Sequence, residues 1–255
     1  PSACMASPRR RPQAKVGSGA PDPVLRHAAT LILHRHGADG PEVLMGQRGR
    51  KAAFMPSKFV FPGGALDPGD AQMQLAGALS PACRARLCID GACERDGPDA
   101  PLPEALVAAA IRELWEETGL MLARPEPWST ADLAAIPPGW DAFAQAGLRP
   151  DASACRFVFR AVTPPARSRR FDARFFAARA AAVAGDVDDF SRAQPELGAL
   201  QWVPLRRARS FDLPFITTVV LAELSHLLSH PEPGVPDDVP FVRNDDIVSN
   251  IRRLR

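Results

Sequence analysis

Three glutamates in the middle of the chain, Glu113, Glu116 and Glu117, have the spacing of a single chemical site. A helix turns by about 100° per residue, so positions i, i+3 and i+4 fall on one narrow face. Three adjacent carboxylates repel one another unless a cation neutralises them, and oxygen ligands suit hard ions such as Mg²⁺ or Mn²⁺. Runs of charge are also common on solvated helix surfaces. The glutamate face is therefore either a metal site or a charged surface.

The residues around these glutamates predict the helix that must carry them. Apolar side chains gather on the face opposite the glutamates and are predicted to be buried: Val107, Ile111, Leu114 and Trp115. Arg112 precedes Glu116 by four residues, which is close enough to orient that carboxylate. Pro103 suits the first turn of a helix, and Gly119 suits the position just after its last turn. The pattern indicates an amphipathic helix that ends directly after the glutamates.

Residues 112–120, Arg-Glu-Leu-Trp-Glu-Glu-Thr-Gly-Leu, resemble the second half of the Nudix box. That half is Arg-Glu-U-x-Glu-Glu-x-Gly-U, with U aliphatic, and every fixed position matches. The first half is Gly-x5-Glu, and residues 64–70 have this spacing with Asp70 in place of Glu. The family separates the halves by seven residues, whereas this chain has 41, at 71–111. The interruption, together with Phe-Met-Pro at 54–56, is similar to the branch that includes the peroxisomal coenzyme A diphosphatase and bacterial relatives.

This resemblance implies a fold and an activity. The fold is of the α/β class, a Nudix-type α/β/α sandwich with a mixed sheet. The activity is metal-dependent cleavage of the diphosphate in a nucleoside diphosphate linked to another moiety, with coenzyme A or an acyl-CoA as the first candidate. ADP-ribose, NADH or a nucleotide sugar is an alternative substrate, and a non-catalytic nucleotide-binding regulator is an alternative function. The implied cofactor is Mg²⁺ or Mn²⁺, the partner is a small-molecule diphosphate, and a homodimer is a common state in the family.

The resemblance also assigns roles to individual residues. Catalytic roles fall on Arg112 and the three glutamates, and metal ligation falls on the same glutamates and a carbonyl at Gly63. Basic residues before the box, Arg48 and Arg50, have the chemistry to grip phosphates. Glu196 is the candidate for an extra loop carboxylate near the metals. The alternative for these last three is an ordinary charged loop. Asp70 has an open role, because its side chain is shorter than Glu and the insertion separates it from the helix.

Composition divides the chain into three parts. Residues 1–23 are basic and rich in Pro, Gly and Ser, which favours a disordered tail. Residues 24–230 form the hydrolase domain, with an insertion at about 71–101, and residues 231–255 form a C-terminal tail. A long insertion in a compact domain is commonly functional, so we expect it to act as a lid or wall over the substrate.

The overall charge and the cysteines limit the possible partners. A net charge of +2 with 24% charged residues gives no electrostatic reason for nucleic-acid binding. Glu223 and His226 interrupt the longest apolar run, residues 215–228, so no membrane span is expected. Five cysteines, an odd number, favour reduced thiols and a cytoplasmic location. Cys83, Cys88 and Cys93 lack the Cys-x2-Cys pairing of a zinc site.

Apolar runs elsewhere predict the strands that support the helix. The predicted strands are His27–His34, Glu42–Gln47, Lys58–Phe61, Arg156–Val162, Arg170–Ala178 and Ala199–Val203. A last helix is predicted to be capped by Asp212, with Pro214 in its first turn, and to run to about Leu228.

Overall fold

The computed structural model describes residues 24–52, 55–89, 102–165, 167–229, 236–245 and 248–255. The predicted basic tail lies outside these ranges. Phe54, Cys93 and the last part of the insertion, residues 90–101, also lie outside them.

The described residues contain twelve strands and six α-helices. The strands are β1 (Leu25–Gly37), β2 (Gly40–Arg48), β3 (Phe59–Val60), β4 (Gly63–Ala65), β5 (Met121–Pro125), β6 (Leu148–Pro150), β7 (Arg156–Val162), β8 (Arg170–Arg179), β9 (Val183–Ala184), β10 (Leu197–Pro204), β11 (Val239–Asp245) and β12 (Val248–Leu254). The helices are α1 (Pro81–Leu87), α2 (Leu102–Thr118), α3 (Thr130–Ala134), α4 (Asp141–Gln145), α5 (Leu205–Ala208) and α6 (Phe215–Leu227). All six predicted strands are confirmed, with bounds that differ by a few residues.

A nine-stranded mixed sheet organises the described structure. Its main path is β10-β2-β1-β8-β7-β11-β12, with β3 paired to β2 and β4 paired to β1. The β1–β8 and β7–β11 neighbours are parallel, and the other paired neighbours are antiparallel. A small second sheet has the order β6-β5-β9.

The central strand β1 is buried on both faces, which creates two cores. Leu31 and Leu33 belong to the core that contains α2. Ile32, whose side chain points the opposite way, belongs to the core that contains α6. Because helices cover both faces of the mixed sheet, the expected α/β/α sandwich is confirmed.

Helix α2 ends as the sequence predicts. Val107, Ile111 and Leu114 are fully buried, whereas Trp115 is only half-buried. Gly119 follows the helix with φ of +75°, a conformation that glycine adopts without strain, and its N–H donates to the carbonyl of Trp115 at 2.8 Å.

The described part of the insertion packs into the core, and the expected role of the insertion as a lid or wall over the substrate stays a prediction. Four of its apolar side chains are buried in the α2 core: Met73, Leu79, Cys83 and Leu87. Helix α1 carries two of them, and the backbone N–H of Phe157 in β7 donates to Cys83 Sγ at 3.4 Å. The sequence analysis gave weight to loop length and overlooked this apolar content.

The end of the chain differs from expectation in two places. Helix α6 is preceded by Pro214 as its N-cap, whereas Asp212 instead forms an ion pair with Lys58. The described part of the predicted C-terminal tail supplies β11 and β12, with Val239 and Phe241 buried. A short alternation of apolar and polar residues that is split by a turn is a weak signal in sequence.

The described cysteines differ from the expected reduced thiols. Cys83 and Cys155 are free and buried, whereas Cys88 is disulfide-bonded. No described helix combines the length and apolarity that crossing a membrane requires.

Candidate active site

A buried ion pair joins the two halves of the box. Arg112 Nε and Nη2 donate to the two carboxylate oxygens of Asp70 at 2.9 and 3.1 Å. Asp70 is 1% exposed and Arg112 is 4% exposed. Arg112 Nη2 also donates to the carbonyl of Ala65, and this third hydrogen bond fixes the orientation of the guanidinium plane. Asp70 therefore orients Arg112, a role that the sequence analysis left open.

Arg112 in turn holds two of the three glutamates. Its Nη1 donates to Glu113 Oε1 and to Glu116 Oε2, both at 3.0 Å. Burial alone would lower the pKa of Arg112, but the hydrogen bond to Asp70 and the nearby carboxylates raise it overall. The guanidinium is thus a permanent cation at the centre of the carboxylate cluster.

The glycine pair after β3 lies directly against the glutamate face. The N–H of Gly63 donates to Glu117 Oε2 at 2.8 Å. A Cβ on Gly64 would overlap the carboxylate of Glu113, so a side chain at this position would displace that carboxylate. The two halves of the box therefore lie side by side, although 41 residues separate them in sequence, and a backbone hydrogen bond joins them.

Burial disfavours the ionised form of all three glutamates. Burial raises the pKa of Glu117 to about 8, although the Gly63 N–H opposes the shift. Burial also raises the pKa of Glu113 to about 7 against the opposing charge of Arg112, and it raises the pKa of Glu116. Protein neighbours alone therefore do not compensate the ionised glutamates.

The carboxylate oxygens of the three glutamates suit a divalent cation chemically. In their present positions, however, they do not form a complete coordination shell. Glu117 Oε1 is buried and has no hydrogen-bond partner in the described structure. Within the described ranges, no three His, Cys, Asp or Glu side chains converge as a ready metal site. Glu113 and Glu116 are instead hydrogen-bonded to Arg112. An orphaned carboxylate oxygen beside two further carboxylates is nevertheless compatible in chemistry with an Mg²⁺ or Mn²⁺ ligand set.

Two of the three predicted substrate-binding residues contact each other beside this cluster. Arg48, the last residue of β2, donates from Nη2 to Glu196 Oε1 at 2.7 Å. Its charge lowers the pKa of Glu117, whereas the charge of Glu196 raises it, so both groups lie within electrostatic range. Arg50 is exposed, two residues past the end of β2.

One loop near the glutamates was missed in the sequence, whereas a second, which carries Glu196, was predicted to lie near the metals. Gly139, with φ of +92°, lies so close that a Cβ there would be 3.4 Å from both Arg112 Cδ and Glu116 Oε1. The second loop packs against the end of α2: the N–H of Gln194 donates to the carbonyl of Glu116 at 2.9 Å. The only local signals were glycine and proline residues, which indicate turns without indicating what the turns contact.

Comparison with known proteins places this arrangement in a family. No protein-family model matches the chain. A Nudix hydrolase of known structure from Alicyclobacillus acidocaldarius is 32% identical, and the alignment covers 83% of this chain and 99% of that one, with a TM-score of 0.59. More distant similarity extends to the Nudix domain of Shewanella oneidensis NrtR in complex with ADP-ribose (11% identical, 80% of this chain and 88% of that one, TM-score 0.42). It also extends to a C. elegans Ap4A hydrolase (16% identical, 80% and 98%, TM-score 0.43).

The 32% identity over nearly the whole of the Alicyclobacillus acidocaldarius enzyme agrees with the box residues found around Arg112. On these grounds the chain belongs to the Nudix hydrolase family and is a diphosphatase enzyme of that family.

Proposed function

We propose that this enzyme uses a divalent cation, Mg²⁺ or Mn²⁺, to hydrolyse the diphosphate of a nucleoside diphosphate linked to another moiety. The observation that carries the proposal is Glu117, a residue that is 2% exposed and keeps one carboxylate oxygen unpartnered. A buried anion of this kind is costly unless a cation accompanies it.

The ligands in this proposal are the carboxylates of Glu113, Glu116 and Glu117, together with a carbonyl at Gly63. A bound divalent ion would neutralise diphosphate oxygens and acidify a water molecule. The roles of Arg112 and Asp70 follow from their ion pair: Asp70 fixes Arg112, and Arg112 orients Glu113 and Glu116. One of the glutamates or Glu196 accepts the proton of the attacking water.

Arg48 is the proposed contact for a substrate phosphate. Its Nε is buried without a hydrogen-bond partner among the described residues, and Nη2 is held by Glu196. A phosphate oxygen would complete the donor set of this guanidinium. Arg50, exposed at the same end of β2, is the second basic residue proposed to contact the substrate.

Coenzyme A and acyl-CoA are the first substrates to test, on the strength of the interrupted box and the Phe-Met-Pro sequence. ADP-ribose, NADH and nucleotide sugars form the comparison set. A homodimer and a cytoplasmic location stay predictions.

A substrate panel with mass-spectrometric detection tests the proposal. We expect products cleaved within the diphosphate when Mg²⁺ or Mn²⁺ is present and loss of turnover in EDTA. Restoration by added metal would separate metal dependence from damage by the chelator. Equal rates with and without EDTA would refute the metal mechanism, and preference for ADP-ribose over coenzyme A would refute the substrate assignment.

A further inference from the structure

A buried cluster of three charged side chains, Arg160, Asp172 and Arg174, lies on the sheet face that contacts α2. Arg174 of β8 is paired with Ala29 of β1, whose side chain belongs to the α2 core. Paired residues of neighbouring strands point to the same face, so Arg174 also faces α2. Gly64 of the glycine pair is bonded to the other edge of β1, opposite Ala29. Strand β1 therefore lies between Arg174 and the candidate active site.

A single carboxylate serves both arginines of this cluster. Arg160 donates from Nε and Nη2 to the two oxygens of Asp172 at 2.9 and 2.8 Å. Arg174 Nη1 lies 3.2 Å from Asp172 Oδ2. Burial alone would raise the pKa of Asp172, but the hydrogen bond from Arg160 and the charge of Arg174 lower it overall, so this carboxylate is ionised. Two guanidinium cations and one carboxylate leave the cluster with a net charge of +1.

Arg174 keeps two donor atoms without a partner. The residue is 0% exposed, and its Nε and Nη2 have no hydrogen-bond partner among the described residues. Its Nη1, in contrast, contacts His27 Nδ1 and the backbone carbonyl of Asp172, each at 2.9 Å. Burial lowers the pKa of Arg174 to about 10 despite the attraction of Asp172, and the charge of Arg160 lowers it further. The buried charge of Arg174 is therefore compensated only in part.

The same edge of the guanidinium binds a carboxylate in two other buried arginines of this chain. Nε and Nη2 of Arg112 donate to the two oxygens of Asp70. Nε and Nη2 of Arg160 donate in the same way to Asp172. The two N–H groups of this edge are parallel, which is the geometry that binds an anion through two hydrogen bonds. The two unpartnered donors of Arg174 are on this edge and therefore suit an anion.

The charge and the burial of the cluster limit the kind of anion. One negative charge balances the net charge of +1, whereas a phosphate dianion would exceed it. Because both unpartnered nitrogen atoms are buried, the ligand has to be small. Chloride meets both conditions, and one chloride ion can accept from two parallel N–H groups.

We propose that Arg174 binds a small monovalent anion, chloride, inside the folded domain. Nε and Nη2 donate to the ion, and its charge balances the cluster of Arg160, Asp172 and Arg174. The anion stabilises the fold, and the proposal does not depend on the reaction at the glutamates.

Urea unfolding of the full chain tests this site, in potassium chloride and in potassium gluconate of equal ionic strength, with EDTA present throughout. Gluconate is too large for a buried position. We expect a saturable stabilisation by chloride, in which the equilibrium constant of unfolding falls about tenfold when chloride reaches about ten times its dissociation constant. The shift should disappear in Arg174→Met, a change that leaves the two hydrogen bonds between Arg160 and Asp172 in place.

Two other arginine variants are the controls. Arg48→Met removes another arginine whose Nε is buried and unpartnered, and Arg207→Met removes an exposed arginine of α5. Both variants should keep the full chloride shift. Loss of the shift in Arg48→Met would assign the ion to the candidate active site and overturn the proposal. A shift that persists in Arg174→Met, or that is absent from the parent protein, would also overturn it.

Bromide diffraction gives a measurement that does not depend on how well a variant folds. Crystals of the parent protein grown in bromide should show an anomalous peak beside Nε and Nη2 of Arg174, and added chloride should weaken it. Peaks at exposed arginines with none beside Arg174 would indicate adventitious ions only and overturn the proposal.

Discussion

Asp70 and Arg112 are 42 positions apart in sequence and share two buried hydrogen bonds, of 2.9 and 3.1 Å. The pair links the short turn after β4 to the helix that carries the glutamates. Because Arg112 also contacts Glu113 and Glu116, the geometry of these carboxylates depends on Asp70.

Replacement of Asp70 by Asn should therefore destabilise the protein strongly. The change leaves a buried guanidinium without its main counter-ion, which typically costs about 3–5 kcal/mol. Urea unfolding at pH 7 measures the loss. Asp67→Asn is the matched control, because Asp67 is 60% exposed and 3.7 Å from the same guanidinium. Its cost should stay within about 0.5 kcal/mol, and equal costs for the two variants would contradict the role given to Asp70.

Glu117→Gln should abolish most activity while the fold persists. The change removes the charge of a buried ligand at nearly constant shape, and the rate should fall by about a hundredfold or more. Glu104→Gln alters a glutamate of the same helix that forms an ion pair with Arg84 away from the site. Turnover under saturating Mg²⁺ should be near normal in this control. Substantial activity in Glu117→Gln would mean that the glutamate face is only a charged surface.

The free energy of unfolding in EDTA should fall as the pH rises from about 5 to 8. The folded-state pKa of Glu117 is about 8 and that of Glu113 is about 7, both above the ordinary 4.5. In this window the folded state binds more protons than the unfolded state, so each pH unit lowers stability by at most about 1.4 kcal/mol for each group. The loss is complete above the folded pKa values.

Denaturant unfolding at several pH values measures this slope. Glu117→Gln should reduce it, because glutamine does not titrate. Mg²⁺ or Mn²⁺ should reduce it as well, since a bound cation favours the ionised carboxylates. A stability that rises across this range in EDTA would show that the glutamates are better compensated than their burial implies.

Gly64→Ala should impair catalysis more than stability. The added methyl group overlaps the carboxylate of Glu113, which must move away from its place beside Arg112. The measurable result is a reduced kcat with a weaker dependence on Mg²⁺ concentration. Gly49→Ala is the control, because a Cβ at Gly49 meets nothing within 4 Å. Comparable losses in both variants would exclude a specific contact with Glu113.

The sequence predicted the parts of the site that depend on local periodicity. The spacing of Glu113, Glu116 and Glu117 defines one helix face without any knowledge of the remaining fold, and Gly119 marks its end. The Asp70–Arg112 pair was not predicted as a contact, because nothing local relates residues so far apart. Gly139 was missed for the same reason, since its importance lies in what the loop packs against.

The elements of the fold were likewise predicted where the sequence pattern is local and missed where the structure depends on packing between distant residues. The buried strands β1, β7 and β8 have strong apolar patterns and were predicted with nearly correct bounds. The position of the insertion depended on tertiary packing: Leu87 is 1% exposed because it contacts a core that sequence alone does not display.

Burial of Leu87 and Cys83 in the α2 core has a consequence for partly folded states of the protein. The insertion lies between Asp70 and Arg112 in the chain and packs against the core that contains α2. Opening of the insertion would therefore expose one side of the packing that holds α2, the helix that carries Arg112 and the glutamates. We expect local unfolding of the insertion and loss of catalysis to occur together, so that an incompletely folded chain has little activity.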